Sequence, residues 1–166
     1  MFSSFTLLLP CLMAVLPSCH GKPLPAEINW RNPIITISKR IQKDIEENPM
    51  SNGLSINLPD QVPGTKPIQG LGSAIESLTA FERITDTLWG SHHQLSVDLN
   101  NLVGSLRNYM VRVLQCPTRK PSSFEDLDSF LKSNQQYVMT LRPAVLRRLR
   151  DYMNKLLSNL NTLRTC

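Results

Sequence analysis

Aromatic side chains make up only 6% of this 166-residue chain, glycines number 7 and cysteines 4. Sparse glycine without a three-residue period excludes collagen, and the lack of a serine/threonine/proline repeat excludes a mucin-like stalk. There is no glycine-rich phosphate loop and no HExxH, GxSxG or CxxC motif. Nothing therefore activates a nucleophile or polarises a substrate, and the chain reads as no enzyme, with no cofactor and no metal site. His92-His93 is the one histidine cluster, but neighbours on a helix point about 100° apart and do not grip a zinc ion as an i, i+4 pair does. Asp126 and Asp128 lack the other oxygen ligands and the glycine of a calcium loop. Basic residues are not interleaved with aromatics, so nucleic acid is not an expected partner. There is no N-x-Ser/Thr sequon.

Long apolar runs are also missing. The longest, Phe5 to Leu16, has 12 residues, is broken by Pro10 and runs into Pro17-Ser18-Cys19-His20-Gly21. About 20 residues are needed to span a bilayer, so residues 1–21 read as a signal peptide cut near 19–21. That leaves one extracellular, secreted domain over residues 22–166 with no membrane insertion. A chain of about 145 residues hides roughly 68–70% of its unfolded surface, enough for a core without dense disulfides. Cleavage removes Cys11 and Cys19. The remaining Cys116 and Cys166 have no short-spaced histidine or cysteine partner and read as a structural disulfide in an oxidising compartment.

What the chain does have is helical periodicity. Asn32-Pro33 opens a first stripe of Ile34, Ile37, Ile41 and Ile45, closed by Asn48-Pro49. Pro49 to Gly72 is too rich in proline and glycine for a regular element and reads as a long crossover. Ser73-Ala-Ile-Glu76 has capping-box form and leads a second stripe: Ala74, Ile75, Leu78, Phe81, Ile84 and Leu88, ending at Gly90. Ser91-His-His-Gln94 leads a third stripe of Leu95, Leu99, Leu102, Leu106, Tyr109 and Val113. A second long link follows Cys116-Pro117, with Ser122-Ser-Phe-Glu125 and Phe124, Leu127, Phe130 and Leu131 marking a short helix inside it. From Pro143 on, Leu146, Leu149, Met153, Leu156, Leu160 and Leu163 form the last stripe. Long, short and long connections predict an all-α, up-up-down-down four-helix bundle of the long-chain cytokine type, with a short extra helix in the third connection.

The net charge is +5. Arg142, Arg147, Arg148, Arg150 and Lys155 lie along the last helix and Arg119-Lys120 in the link before it. A solvated face is the default reading; a heparin-like glycan, acidic partner or lipid headgroup is the alternative. The fold alone admits another long-chain helical cytokine, and the amphipathic helices admit a secreted lipid- or glycan-binding protein.

Four features carry a resemblance: Val62-Pro-Gly-Thr-Lys-Pro-Ile68 in the first crossover, Ser96-Val-Asp-Leu-Asn-Asn-Leu102 in the third helix, Leu127-Asp-Ser129, and a terminal Cys166 beyond Cys116. Together they resemble the leptin family. The resemblance implies a secreted, monomeric hormone that binds the ectodomain of a class I cytokine receptor, the leptin receptor. Binding would activate its associated tyrosine kinases and regulate appetite and energy balance. It also implies two receptor surfaces. The first, on the first and third helices, maps to Asn29, Asn32, Thr36, Arg40, Asn101, Gly104 and Ser105. The second, at the start of the last helix and the first crossover, maps to Met139, Thr140 and Leu141 with Pro59, Asp60, Gln61 and Val62. Gly104 replaces an acidic family position and Met139 an aromatic one, and Asp60 alone survives of a Leu-Asp-Phe-Ile motif.

Overall fold

Isoleucines three and four residues apart share one face of a helix. In the computed structural model, which describes residues 29–49, 57–117 and 122–166, they form the inner face of α1 (Arg31–Glu47), with Ile34, Ile37 and Ile41 buried and Ile45 half-buried. The leader and the start of the predicted domain lie outside the described residues, as do Arg119 and Lys120. The helix begins before the predicted Asn32 cap: Asn29 Oδ1 accepts the Arg31 N–H at 3.1 Å. Pro33 keeps a first-turn position, where its missing N–H costs nothing.

The start of the second helix is also shifted. Helix α2 (Leu71–Trp89) starts two residues before Ser73, whose hydroxyl works from within the first turn, accepting the Gln69 N–H (2.9 Å) and donating to the Gly70 carbonyl (2.9 Å). A side chain on Gly70 would press on the C-terminal residues, since a Cβ there would lie 3.2 Å from the Cys166 carbonyl carbon. Gly90, at φ +92°, turns the chain back after Trp89 in a conformation natural to glycine. In α3 (Gln94–Arg112) the cap is His93 rather than Ser91, with Nδ1 accepting the Leu95 N–H at 3.4 Å.

The short helix α4 (Glu125–Ser133) buries Leu127 and Leu131. Arg83 on α2 pairs with Asp128 on α4 through two hydrogen bonds, 2.5 and 2.6 Å, which lower the Asp128 carboxyl and raise the guanidinium. Helix α5 (Val138–Ser158) follows a 3₁₀ turn at Gln135–Tyr137 and starts well before Pro143, which lies inside it. The local proline signal yields to packing: Leu141, Val145 and Leu146 on that turn are buried in the core. Leu163 closes the core from a final 3₁₀ turn, Leu160–Arg164.

Cross-helix contacts fix the topology. Trp30 meets Tyr109 edge-on at 5.6 Å and Arg40 meets Asp98 at 2.7 Å, so α1 runs antiparallel to α3. Thr85 lies 3.1 Å from Ser96, and Arg107 donates to Thr79, so α2 is also antiparallel to α3. Phe81 packs on Tyr152 at 5.5 Å while Arg142 reaches the Leu88 carbonyl, so α2 opposes α5. The order is up-up-down-down, and no strand occurs among the described residues. Tyr152 sits deep in the core, where burial pushes its hydroxyl up to about 12. Ser96 donates to Asp86 and touches Thr85, both hydroxyls being buried, which pins the register of α2 on α3. Cys116 and Cys166 are bridged, and the Leu71 N–H donates to Thr165 O at 2.9 Å, so the C-terminal residues join the end of α3 to the start of α2.

Candidate functional site

Two helices packed with their small and polar residues outward leave a trough between their ridges. Between α1 and α3 that trough is a groove of about 650 Å³. Trp30, Pro33, Leu102, Tyr109 and Val113 supply its apolar lining, and Asn29, Thr36, Asn101, Ser105, Asn108 and Arg112 its polar one. Asp98 closes it toward Arg40, and their 2.7 Å ion pair ties the two helices across the groove's edge. Gln94 supports Asp98 from one turn earlier, at 2.8 Å.

Four of the seven positions assigned to the first surface therefore line one groove: Asn29, Thr36, Asn101 and Ser105. Arg40 lies beside it, half-buried and already paired. Asn32 is exposed at the start of α1 but not in the lining. Gly104 is half-buried, with open space where its Cβ would be. Periodicity missed Trp30, Pro33, Asn108 and Arg112. Only Trp30 carried a signal, a large aromatic just before a helix start.

The second set divides. Met139 is 76% exposed and Thr140 half-buried, but Leu141 is a core residue and does not face a partner. Pro59 is half-buried and Asp60 and Gln61 are exposed, whereas Val62 is fully buried and anchors the crossover. The crossover is fastened to α5 by the Arg148 guanidinium on the Leu58 carbonyl (3.4 Å) and the Lys155 ammonium on the Gly64 carbonyl (2.6 Å). Those cations lie about two and four turns beyond Thr140. The two halves of the second set thus occupy different levels of α5.

For Arg142, Arg148 and Lys155 these fastenings correct the reading of the basic residues as a solvated face. Arg142 donates twice to the Leu88 carbonyl, at 2.9 and 2.5 Å, and stacks on Trp89 at 5.4 Å. Trp89 in turn contacts His93 at 5.9 Å. Three of the five cations on α5 hold other segments, and Arg150 pairs with Asp151. Near the α1–α3 junction, Asp44 has one carboxylate oxygen buried without a hydrogen-bond partner among the described residues. Burial raises its pKa, against the pull of His93, Arg40 and Lys43. No group of three or more His, Cys, Asp or Glu able to hold a metal ion occurs among the described residues, nor any helix long and apolar enough to cross a membrane.

Two long crossovers around one short reversal separate the helical cytokines from other four-helix bundles, and this fold falls in that class. The family follows from sequence: the leptin family model matches residues 29–166, and the chain belongs to the leptin family. It is a leptin-like hormone. Comparison with curated proteins and with solved structures gives no match.

Proposed function

We propose that the chain is an exported hormone that docks the cytokine-binding module of a class I cytokine receptor, the leptin receptor, in the α1–α3 groove. The start of α5 engages a second receptor domain. Receptor chains brought together this way let their associated tyrosine kinases phosphorylate one another, in control of appetite and energy balance. The chain acts as a monomer without catalysis.

The observation that supports this reading is the groove. Four of the seven positions that the family resemblance assigns to the first surface line a concavity with apolar and polar walls, the mixed lining of an interface centre. Half-buried Tyr109 offers aromatic area, held by its edge-on contact with buried Trp30. At the start of α5, exposed Tyr137 and Met139 flank Val138, which packs against the core, and present a small apolar patch.

The test is titration of the leader-free chain onto the leptin-receptor ectodomain, with a related class I receptor as control, followed by receptor phosphorylation in cells. Saturable binding and signalling through the leptin receptor alone is the expected outcome. Ser105→Arg fills the groove from an exposed position, so it should abolish binding while leaving the melting temperature near that of the parent. Undiminished binding by that variant would remove the groove from the interface.

A further inference from the structure

The segment Ser122-Ser123-Phe124-Glu125 has the spacing of a capping box, yet the structure does not use it as one. Phe124 occupies the cap position of α4 and makes no side-chain cap bond. Ser122 turns away and donates to Glu76 Oε1 on α2 at 2.5 Å. Ser123 accepts the Glu125 N–H only at 3.4 Å, the long limit of a hydrogen bond, and its own hydroxyl hydrogen has no acceptor among the described residues. The residue is exposed.

We propose that Ser123 is a phosphorylation site for an acidophilic serine kinase that reads a glutamate two residues beyond its acceptor. Among all serines and threonines of the chain, Ser123 is the only one with glutamate at that position, Glu125, and Asp126 extends the acidic run. Ser96 has an aspartate there, Asp98, but is buried between α2 and α3 and hydrogen-bonded to Asp86. Sequence and accessibility therefore select the same hydroxyl. A nucleoside triphosphate is the co-substrate: the Ser123 Oγ–phosphorus bond forms, the bond from the γ-phosphorus to the bridging oxygen breaks, the diphosphate leaves, and the hydroxyl proton passes to the kinase's base.

The phosphate would stand at the start of α4, where free N–H groups and the helix dipole favour an anion. It would also enter a cleft of about 430 Å³ between the first crossover, α2 and α4. Lys66 in that lining has no acidic partner among the described residues and can take the new charge, while Asp60, Glu76 and Asp126 repel it. Asp60 and Gln61 belong to the crossover half of the second receptor surface. Modification at Ser123 thus changes the charge that this half presents. The setting for such a kinase is the secretory lumen, so the proposal rests on reading the chain as exported.

The test has two arms. Purified leader-free chain with its disulfide intact is incubated with a secretory-pathway kinase of this specificity and labelled ATP, and the product is mapped by mass spectrometry. One phosphoryl group on Ser123 is expected, absent from Ser123→Ala and undiminished in Ser122→Ala. Glu125→Gln, which removes a charge-assisted contact with the kinase, should cut the rate about tenfold or more. No incorporation, incorporation elsewhere, or indifference to Glu125→Gln overturns the proposal. In the second arm, the full chain is expressed in secretory cells and the medium is analysed for intact mass. Secreted chain carrying the phosphate supports the site, and secreted chain wholly without it overturns it. Chain retained in the cells overturns the export reading instead, and the first arm still decides Ser123.

Discussion

The α1–α3 groove and the crossover seat on α5 are built in opposite ways. The groove is a by-product of two regular helices, so its shape follows from which residues face outward, and one ion pair, Arg40–Asp98, trims its edge. The seat is a loop laid on a helix and held where cations meet carbonyls, Arg148 on Leu58 and Lys155 on Gly64, with Val62 as its apolar anchor. Helix pairs carry their own backbone hydrogen bonds, whereas a loop borrows side chains to satisfy its carbonyls. The groove is therefore as firm as the bundle, and the seat is as firm as a few contacts.

The disulfide gives the largest test of that contrast. Cys116→Ser opens a loop spanning 50 residues, and should cost roughly 4 kcal/mol in the chain-entropy picture. It loosens the C-terminal residues from α2 while leaving the α1–α3 pairing intact. Chemical denaturation should show the loss, and receptor affinity referred to the folded fraction should hold; a matching fall in affinity would mean that the groove depends on the bridge. Next comes Leu141→Ala, at about 2–5 kcal/mol, against Met139→Ala within about 0.5 kcal/mol. Thermal melts of the pair separate a core residue from its exposed neighbour, and equal losses would place both in the core. Smaller again, Lys155→Met should cost about 1 kcal/mol. Hydrogen exchange should rise in residues 57–66, with receptor binding kept and receptor phosphorylation reduced if the crossover contributes to signalling.

The same contrast explains what could be read from the sequence. Apolar stripes at three- and four-residue steps gave the four long helices, since period decides which side is buried. Link lengths gave the topology, because a short link has no route but reversal. Helix starts were misplaced at Asn32, Ser73, Ser91 and Pro143, for two reasons. Asn29, Ser73 and His93 share the capping work in ways that one S-x-x-E pattern does not encode, and buried Leu141 overrides the local effect of Pro143. Of the site, exposed helix positions such as Thr36 and Ser105 were legible from periodicity. Burial of Val62 was not, since a proline- and glycine-rich loop has no period to read. The work of Arg142, Arg148 and Lys155 was equally hidden, because it depends on carbonyls 54 to 91 residues away in the chain.

Asp44 offers the mildest probe, at the end of α1 that lies beside the cap of α3. Burial is the largest influence on its carboxyl and raises its pKa above the ordinary aspartate value, with His93, Arg40 and Lys43 opposing and Glu47 reinforcing. An acid whose pKa is higher folded than unfolded binds more protons in the native state, so the charged form works against folding. Its favourable contribution is complete below the unfolded value and is lost as pH rises through the raised one. Asp44→Asn removes that charge and keeps the backbone carbonyl that Asn48 uses through both its N–H and its side-chain amide. The variant should therefore melt slightly higher than the parent at neutral pH, and the gap should close as pH falls through the carboxylate range. A lower melting temperature at neutral pH would show that attraction to His93, Arg40 and Lys43 outweighs burial, which makes the junction of α1 and α3 an electrostatic clasp and overturns the raised pKa.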